Sequence, residues 1–468
     1  MSTWRVERPF LSRIEGDLKY GLLLLICAII ATFLRKKASL NLRRNIDGTI
    51  GFLITLIICK EVTLYSLSIV LINMLAMKLL PSKYLVHFSF FVTFAHLGFL
   101  RIAHNYGLPK LEFIANAIQL IMTLRVIGLS YEIHDSVEAD ERAKKDDARN
   151  DGKRYIVIPS AFEIFNYCYS YMGLFTGPYY TYQTYYDAMH SQHVQQISVR
   201  SLILVKLRTL FWSLPLLILF YIMAPIEVLR SEKILKHNLP TLLTICSFAF
   251  CHLRVRIYTA WMIAESICIL GGIGVYPISC RSAPGIGPRN INGLRDAGRP
   301  GVKYDAETID NLDIPHVESS DGFRSGMRAW NRTVQFWLAN FVYKRSPRFI
   351  RMPYTMLVSA FWHGVHPGYF LSFLTIPLCT TAEDMVFAAI PRNPRTGQHP
   401  LLFQFVWEFI RMRGFEMMAC GFLLLTWEDT IRLWNCLYWW CHIVMLIVMS
   451  ASLGALLAIR KAHRRNGI

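Results

Sequence analysis

Apolar runs recur along the chain at roughly the length a bilayer requires, and this recurrence limits its possible folds more than any other feature. They cover Tyr20 to Leu34, then about 48–59, 61–79, 84–101 and 111–130, Leu202 to Met223, Leu239 to Phe250, Leu371 to Ile390, and about 414–433 and 436–459. A helix crossing hydrocarbon needs about twenty apolar residues. Only 18% of the 468 residues are charged, whereas soluble proteins carry about a quarter. The sequence therefore predicts an all-α, multi-pass integral membrane protein, one domain over residues 1–468, with about eleven transmembrane helices.

Charge orients the bundle. The first run ends in Arg35-Lys36-Lys37, followed by Arg43 and Arg44, and the chain closes on Arg460-Lys461 and Arg464-Arg465. Basic residues flanking spans stay on the cytosolic side, so the N-terminus is expected in the lumen and the C-terminus in the cytosol, with an odd number of spans. Before the first run, Met1 to Lys19 reads as an interfacial helix with Trp4, Phe10 and Leu11 on one side. The formal net charge of +18 suits anionic headgroups or a phosphate-rich co-substrate. Nucleic acid is a poor partner, because no basic, aromatic-rich soluble domain is present.

Two polar stretches interrupt the spans, and both read as loops. Residues 134–154 mix charges of both signs, and residues 279–326 are rich in glycine, proline and arginine. Gly285-Ile286-Gly287 resembles a phosphate loop only superficially, since neither a preceding strand nor a following helix is expected at the required spacing. Eleven scattered cysteines contain no CxxC pair, so neither a disulfide framework nor a metal site is expected. No internal repeat is evident, unlike many transporters.

Two polar residues stand out against this background, Asn331 and His363, each preceded by tryptophan within an apolar run. Polar side chains at membrane depth are expensive unless they face a partner or a cavity. Together they could perform acyl transfer. An imidazole can take the proton of an attacking hydroxyl, and a carboxamide can bond to the carbonyl oxygen or orient the hydroxyl. A lone histidine in an apolar helix is more often a satisfied core residue, so the neighbourhood decides.

That neighbourhood is Trp330-Asn331-x-Thr333-x-Gln335-x-Trp337-Leu338-Ala339, Tyr343-Lys344, and Trp362-His363-Gly364-x-x-Pro367-Gly368-Tyr369-x-x-x-Phe373. These blocks resemble the signatures of the membrane-bound O-acyltransferases, more narrowly the lysophospholipid acyltransferase branch, with members acting on lysophosphatidylinositol the nearest likeness. The resemblance runs from about the second apolar segment to the last. It implies a helical bundle around a buried catalytic chamber, with the family's catalytic pair falling on Asn331 and His363. Phe336-Trp337, where two tryptophans are expected, and Asn340, where glutamine is expected, depart from the pattern and weaken any inference about chain selectivity.

Further residues join the site as expectations. Asn331 and Gln335 share a helix face, Trp330 and Trp337 line its flank, and Trp362 adjoins the histidine. Asn340 and Tyr343 follow on the same segment. Lys344-Arg345 either meets coenzyme A phosphates or anchors the helix end. Arg254, Arg256 and Glu265 are too polar to face lipid, and they either pair internally or bind phosphate; Tyr258 lies among them as a further candidate. Tyr304 to Ile309 is expected beneath the Asn331 helix. Eight tyrosines between Tyr167 and Tyr186 surround Gly177-Pro178; they form either an interfacial belt or the mouth of a headgroup cavity. Pro367-Gly368 should break the helix just after His363.

The resemblance implies transfer of a polyunsaturated, arachidonoyl-like chain from acyl-CoA to the sn-2 hydroxyl of lysophosphatidylinositol in the endoplasmic reticulum membrane. Acyl-CoA is a co-substrate there, and no cofactor is permanently bound. An ordinary imidazole, with a pKa of about 6.5, is a neutral base at cytosolic pH, and no covalent acyl-enzyme is required. The rival readings are lysophosphatidylcholine or lysophosphatidylserine as acceptor, a protein O-acyltransferase, and a transporter or scaffold with a structural His363.

Overall fold

The computed structural model describes residues 10–145, 154–223 and 226–465. Trp4 and residues 146–153 lie outside them. The helices in order are α1 (Phe10–Lys37), α2 (Leu40–Cys59), α3 (Thr63–Leu79), α4 (Ser82–Ile102), α5 (Phe113–Lys145), α6 (Ala161–Tyr169), α7 (Tyr182–His190), α8 (Arg200–Met223), α9 (Leu239–Gly271), α10 (Ile314–Ser319), α11 (Phe323–Ala329), α12 (Arg332–Leu338), α13 (Arg351–His363), α14 (Pro367–Ala389), α15 (Leu401–Leu424), α16 (Trp427–Cys436) and α17 (Trp440–Arg465). The paired strands are β1 (Tyr276–Pro277) and β2 (Tyr304–Asp305), antiparallel to one another.

Local sequence sets the helix limits. Ser39 accepts from Leu42 N–H to start α2, and Ser160 with Glu163 forms a capping box on α6. Asn238 caps α9, which ends at Gly272 in the left-handed region, φ 85°, where glycine has no Cβ to clash.

Among the described residues, seven helical stretches are long and apolar enough to cross a membrane: Ile14–Lys37, Leu40–Leu79, Ser82–Tyr106, Phe113–Lys144, Arg200–Arg230, Pro367–Ala389 and Trp440–Ala462. This differs from the expected count of about eleven. Helices α9 and α15 are 33 and 24 residues long, but their apolar sequence is broken by charged residues such as Arg254, Glu265, Arg411 and Glu416. Those four side chains are buried inside the bundle. Charge paired within protein lowers a helix's hydropathy without removing it from the membrane region.

Two buried cores divide the bundle. One gathers α1 to α7 with the end of α9, α12 and the end of α13, and the other gathers the first half of α9 with the start of α13 and α14 to α17. Between them, Tyr258, Met262, Leu312, Val317 and Ala329 form a small third cluster against Trp261 and Trp330.

Helix α5 corrects the reading of 134–154 as a loop, since it continues to Lys145. The extension is rich in helix-forming Glu, Ala and Lys, and Glu138 pairs one turn away with both His134 and Arg142. The second polar stretch also differs from a strandless loop: β1 precedes it and β2 lies within it. Glycines 285, 287, 298 and 301 take positive φ, allowing the chain to fold back on itself.

The tyrosines form a core and not an interfacial belt. Tyr167, Tyr169, Tyr171, Tyr179, Tyr180, Tyr182 and Tyr185 are all buried; Tyr186 is half-buried. The intervening irregular chain, which contains the cis Gly177-Pro178 peptide, is satisfied by Arg125. Its guanidinium donates to the carbonyls of Tyr167, Cys168, Ser170 and Met172 and to the Tyr180 hydroxyl, at 2.8–3.0 Å. Non-helical backbone at membrane depth is tolerated when protein groups satisfy it in this way. Gly51 brings α2 against the same segment, where a Cβ would sit 1.8 Å from the Tyr169 carbonyl oxygen.

Arg125→Met should strand these acceptors in a buried site and destabilise the protein by about 3 kcal/mol or more. The measurement is the midpoint of thermal unfolding in detergent. Arg142→Met, whose side chain is 79% exposed, should leave that midpoint nearly unchanged.

Candidate active site

The site is built where α12 and α13 hang from α5. Trp337 in α12 donates its indole N–H to the Leu124 carbonyl at 3.0 Å, and Trp362 in α13 donates to the Leu120 carbonyl at 3.0 Å. The two acceptors are four residues apart, about 6 Å along one helix face. Both indoles are buried. Trp337 and Trp362 are therefore anchors that set the spacing of two helices and do not line the cavity onto which Asn331 and His363 open, whereas Trp330, next to Asn331, does line it.

His363 is the last residue of α13. Gly364 follows in an extended conformation, and Pro367 opens α14 at its first turn, where proline is preorganised for a helix. The expected break after His363 is thus a helix-to-helix corner. It is tightened at Gly368, whose Cβ would lie 2.2 Å from the Gly421 carbonyl oxygen of α15. At this corner the imidazole stacks on Phe373, with ring centroids 5.3 Å apart, and meets the ring of Phe422 edge-on at 4.9 Å. Neither ring nitrogen has a hydrogen bond among the described residues. The neighbouring His366 is exposed.

Asn331 stands at the start of α12 with φ 50° and ψ 48°, in the left-handed region. Its carboxamide oxygen is buried without a partner. Asparagine tolerates this conformation better than most residues. Gln335, one turn on, donates its side-chain amide to the carbonyls of Trp330, at 2.7 Å, and Met327, tying α12 to the end of α11.

Asn331 and His363 open onto one cavity of about 450 Å³. Its walls come from α9, α11, α12, α13, α14 and α15 and are mostly apolar, with Phe250, Trp261, Val334, Phe373 and Phe422 among them. Five methionines, Met327, Met352, Met356, Met412 and Met418, also line it. Trp330, Gln335, Tyr343 and Arg254 complete the expected site residues that reach this chamber.

The other expected residues do different work. Asn340 donates to the Phe336 carbonyl and accepts from Lys344, so Lys344 closes on its own helix, while Arg345 pairs with Asp135. Gly177-Pro178 does not line the chamber; it precedes Tyr179, whose N–H donates to Thr333 Oγ1 at 3.2 Å, and so buttresses α12. The polar cluster on α9 resolves into three separate pairings. Arg254 meets Glu318 at 3.0 Å, Arg256 meets Asp17 at 2.6 Å, and Glu265 meets Lys206 at 2.5 Å. Tyr258 donates to Glu318 at 2.6 Å. Only Arg254 among these borders the chamber. Tyr304 to Ile309 does lie by α12: the Thr308 carbonyl accepts from Gly285 N–H, and a Cβ on Gly285 would collide with Phe336.

Sequence reasoning missed Phe422, Asn311, Asp310 and Lys206. Phe373 was visible in the motif, but nothing in the sequence pointed to Phe422, which arrives from a different helix. Asp310-Asn311 carried a faint signal, as polar residues between apolar ones inside the loop next to the family-like block.

A membrane-embedded helical bundle that presents one histidine and one asparagine to a shared apolar chamber defines an integral membrane enzyme working on acyl chains. The chain belongs to the membrane-bound O-acyltransferase family, whose model matches residues 48–424. It is 40% identical over 435 residues to a Caenorhabditis briggsae protein named membrane-bound acylglycerophosphatidylinositol O-acyltransferase mboa-7, covering 91% of this chain and 93% of that protein. The human protein named membrane-bound acylglycerophosphatidylinositol O-acyltransferase MBOAT7 is 34% identical over 446 residues, covering 92% and 93%. The Drosophila melanogaster protein of that description, frj, is 30% identical over 450 residues, covering 90% and 89%.

Because Lys344 and His366 are exposed and do not line the chamber, Lys344→Ala and His366→Ala should each leave acyl-transfer turnover and both substrate KM values within about twofold of wild type. Steady-state kinetics on the purified protein checks this.

Proposed function

We propose that the protein transfers an acyl chain from acyl-CoA to the sn-2 hydroxyl of lysophosphatidylinositol. The observation that carries this is the placement of Asn331 and His363 on the wall of one mostly apolar chamber. His363 takes the proton from the lysolipid hydroxyl as its oxygen attacks the thioester carbonyl. The Asn331 amide N–H₂ donates to the oxyanion of the tetrahedral intermediate. Collapse breaks the carbon–sulfur bond, and the imidazolium returns its proton to the departing thiolate, giving phosphatidylinositol and free coenzyme A. No acyl-enzyme forms.

Several features support the substrate assignment. Relatives spanning nearly the whole chain carry the name acylglycerophosphatidylinositol O-acyltransferase. The methionine-rich wall offers flexible, polarisable side chains that can pack against the bends of a polyunsaturated chain such as arachidonoyl. Arg254 brings a buried guanidinium to the chamber, where its Nη1 meets the Met412 sulfur at 3.4 Å, a weak acceptor. A lysolipid phosphodiester would replace that contact with a charge-assisted bond. We place the enzyme in the endoplasmic reticulum membrane, with its N-terminus in the lumen and its C-terminus in the cytosol, the side from which acyl-CoA arrives.

The test is transfer of arachidonoyl from its coenzyme A thioester across a panel of lysophosphatidylinositol, lysophosphatidylcholine and lysophosphatidylserine. His363→Ala should lower turnover by about 10²–10⁴-fold and Asn331→Ala by about 10²–10³-fold, with folding retained. Arg254→Gln should raise the KM for the lysolipid by about tenfold and leave that for acyl-CoA unchanged. Full activity in His363→Ala would place the base elsewhere, and an inert wild type across the panel would refute the acceptor class.

A further inference from the structure

At the start of a helix an asparagine ordinarily commits its side-chain oxygen to the backbone N–H of the second or third helical residue, from an extended backbone. Asn331 occupies that position on α12 and does not. Its backbone is left-handed, its side chain makes no capping bond, and its Oδ1 is buried with no partner.

The capping bonds come from another segment. The Asn311 carbonyl accepts from Arg332 N–H at 2.9 Å. Asn311 Oδ1 accepts from Thr333 N–H at 3.2 Å and from the Thr333 hydroxyl at 2.7 Å. On the other side of Asn331, Leu312 and Trp330 form an antiparallel bridge, and Asp313 N–H donates to the Ala329 carbonyl at 3.0 Å. The strand-like run from Asn311 to Asp313 thus holds the residues before and after Asn331 while leaving its carboxamide unbonded.

We infer that Asn311 is a positioning residue for acyl transfer, capping α12 in place of Asn331 so that the Asn331 carboxamide is free to face the chamber. This rests on the reading of Asn331 as a group that touches the reacting atoms.

Asn311 is itself anchored in a buried polar network. Its N–H donates to Glu265 at 2.9 Å, and Glu265 pairs with Lys206 at 2.5 Å. Lys206 also meets Asp310 at 2.9 Å, and Asp310 meets Arg332 at 2.6 Å. The network starts on α8 and α9 and returns to the first residue of α12, so both sides of the cap are fixed to rigid helices. Sites held by such supporting shells keep the geometry that catalysis needs. Thr333 links this network to the tyrosine segment, because its hydroxyl oxygen also accepts from Tyr179 N–H.

The test compares Asn311→Ala and Asn311→Asp in the full-length purified protein. Asn311→Ala should lower kcat by about 10- to 100-fold, the range expected when a catalytic group shifts by about an ångström, with both KM values within about twofold. Asn311→Asp keeps the acceptor oxygens and should recover kcat to within about threefold of wild type. Adding Asn311→Ala to Asn331→Ala should slow the enzyme little further, because a residue acting only through another has nothing left to position. If Asn311→Ala fails to fold, Thr333→Val, which deletes one donor to the cap, takes its place in the same comparisons. Multiplying losses, a KM shift matching the kcat loss, or no rescue by aspartate would overturn the inference. Full activity of Asn331→Ala alone would instead overturn the catalytic reading on which it rests.

Discussion

Everything near the chamber depends on one face of α5. From it, the Leu120 and Leu124 carbonyls receive Trp362 and Trp337, Arg125 gathers the irregular tyrosine segment, and Glu132 accepts from the backbone N–H groups of Tyr182 and Gln183 at the start of α7. Gly128 sits in the middle of this face, where a Cβ would fall 2.3 Å from the Tyr179 hydroxyl and 3.5 Å from Trp337 Nε1. A single helix therefore spaces the two elements that carry Asn331 and His363 and also supports the turn behind one of them. In a low-dielectric interior each of these bonds is expensive to leave unmade, so the arrangement is specified as well as stabilised.

The buried charges follow the same logic. An isolated ion in hydrocarbon is prohibitive, and even a buried pair adds little net stability over apolar packing. What pairs such as Glu265 with Lys206 do supply is direction. Glu265 has one oxygen on Lys206 and the other on Asn311 N–H, so it fixes a loop to two helices at once. Arg254 differs, because its partner Glu318 is 41% exposed at the side chain. That fits the proposed exchange of its contact for a lysolipid phosphate, whereas Lys206 is committed to Glu265 and Asp310.

The parts of this architecture legible in the sequence are those encoded locally. Apolar runs of bilayer length specify an all-helical membrane bundle, and two polar residues beside tryptophans inside such runs, together with their family-like neighbours, point to the pair that the fold brings to one chamber. The rest is set by contacts distant in sequence. A tyrosine-rich run has the same composition whether it lies at an interface or around a buried arginine, and only the position of Arg125 decides between them. Charged residues on α9 read equally as phosphate ligands or internal pairs, and their partners Asp17, Lys206 and Glu318 lie on three other segments. Mixed charge at 134–145 suits a solvated helix as well as a loop, and the sequence carries the pairs one turn apart that favour the helix.

The two side chains of the proposed catalytic pair are held in opposite ways, and the chemistry proposed for them explains why. An oxyanion donor must already be in place when charge develops, since any reorientation at that moment adds to the barrier. Asn331 is accordingly bracketed by backbone bonds on both sides, with its strained conformation stabilised from outside. A general base must accept a proton from one partner and deliver it to another a moment later. His363 is confined by Phe373 and Phe422 through ring contacts, and among the described residues no hydrogen bond commits either nitrogen. The rings restrict where the imidazole lies while leaving it free to exchange its proton, so rigidity is placed where charge must be met and latitude where a proton must move.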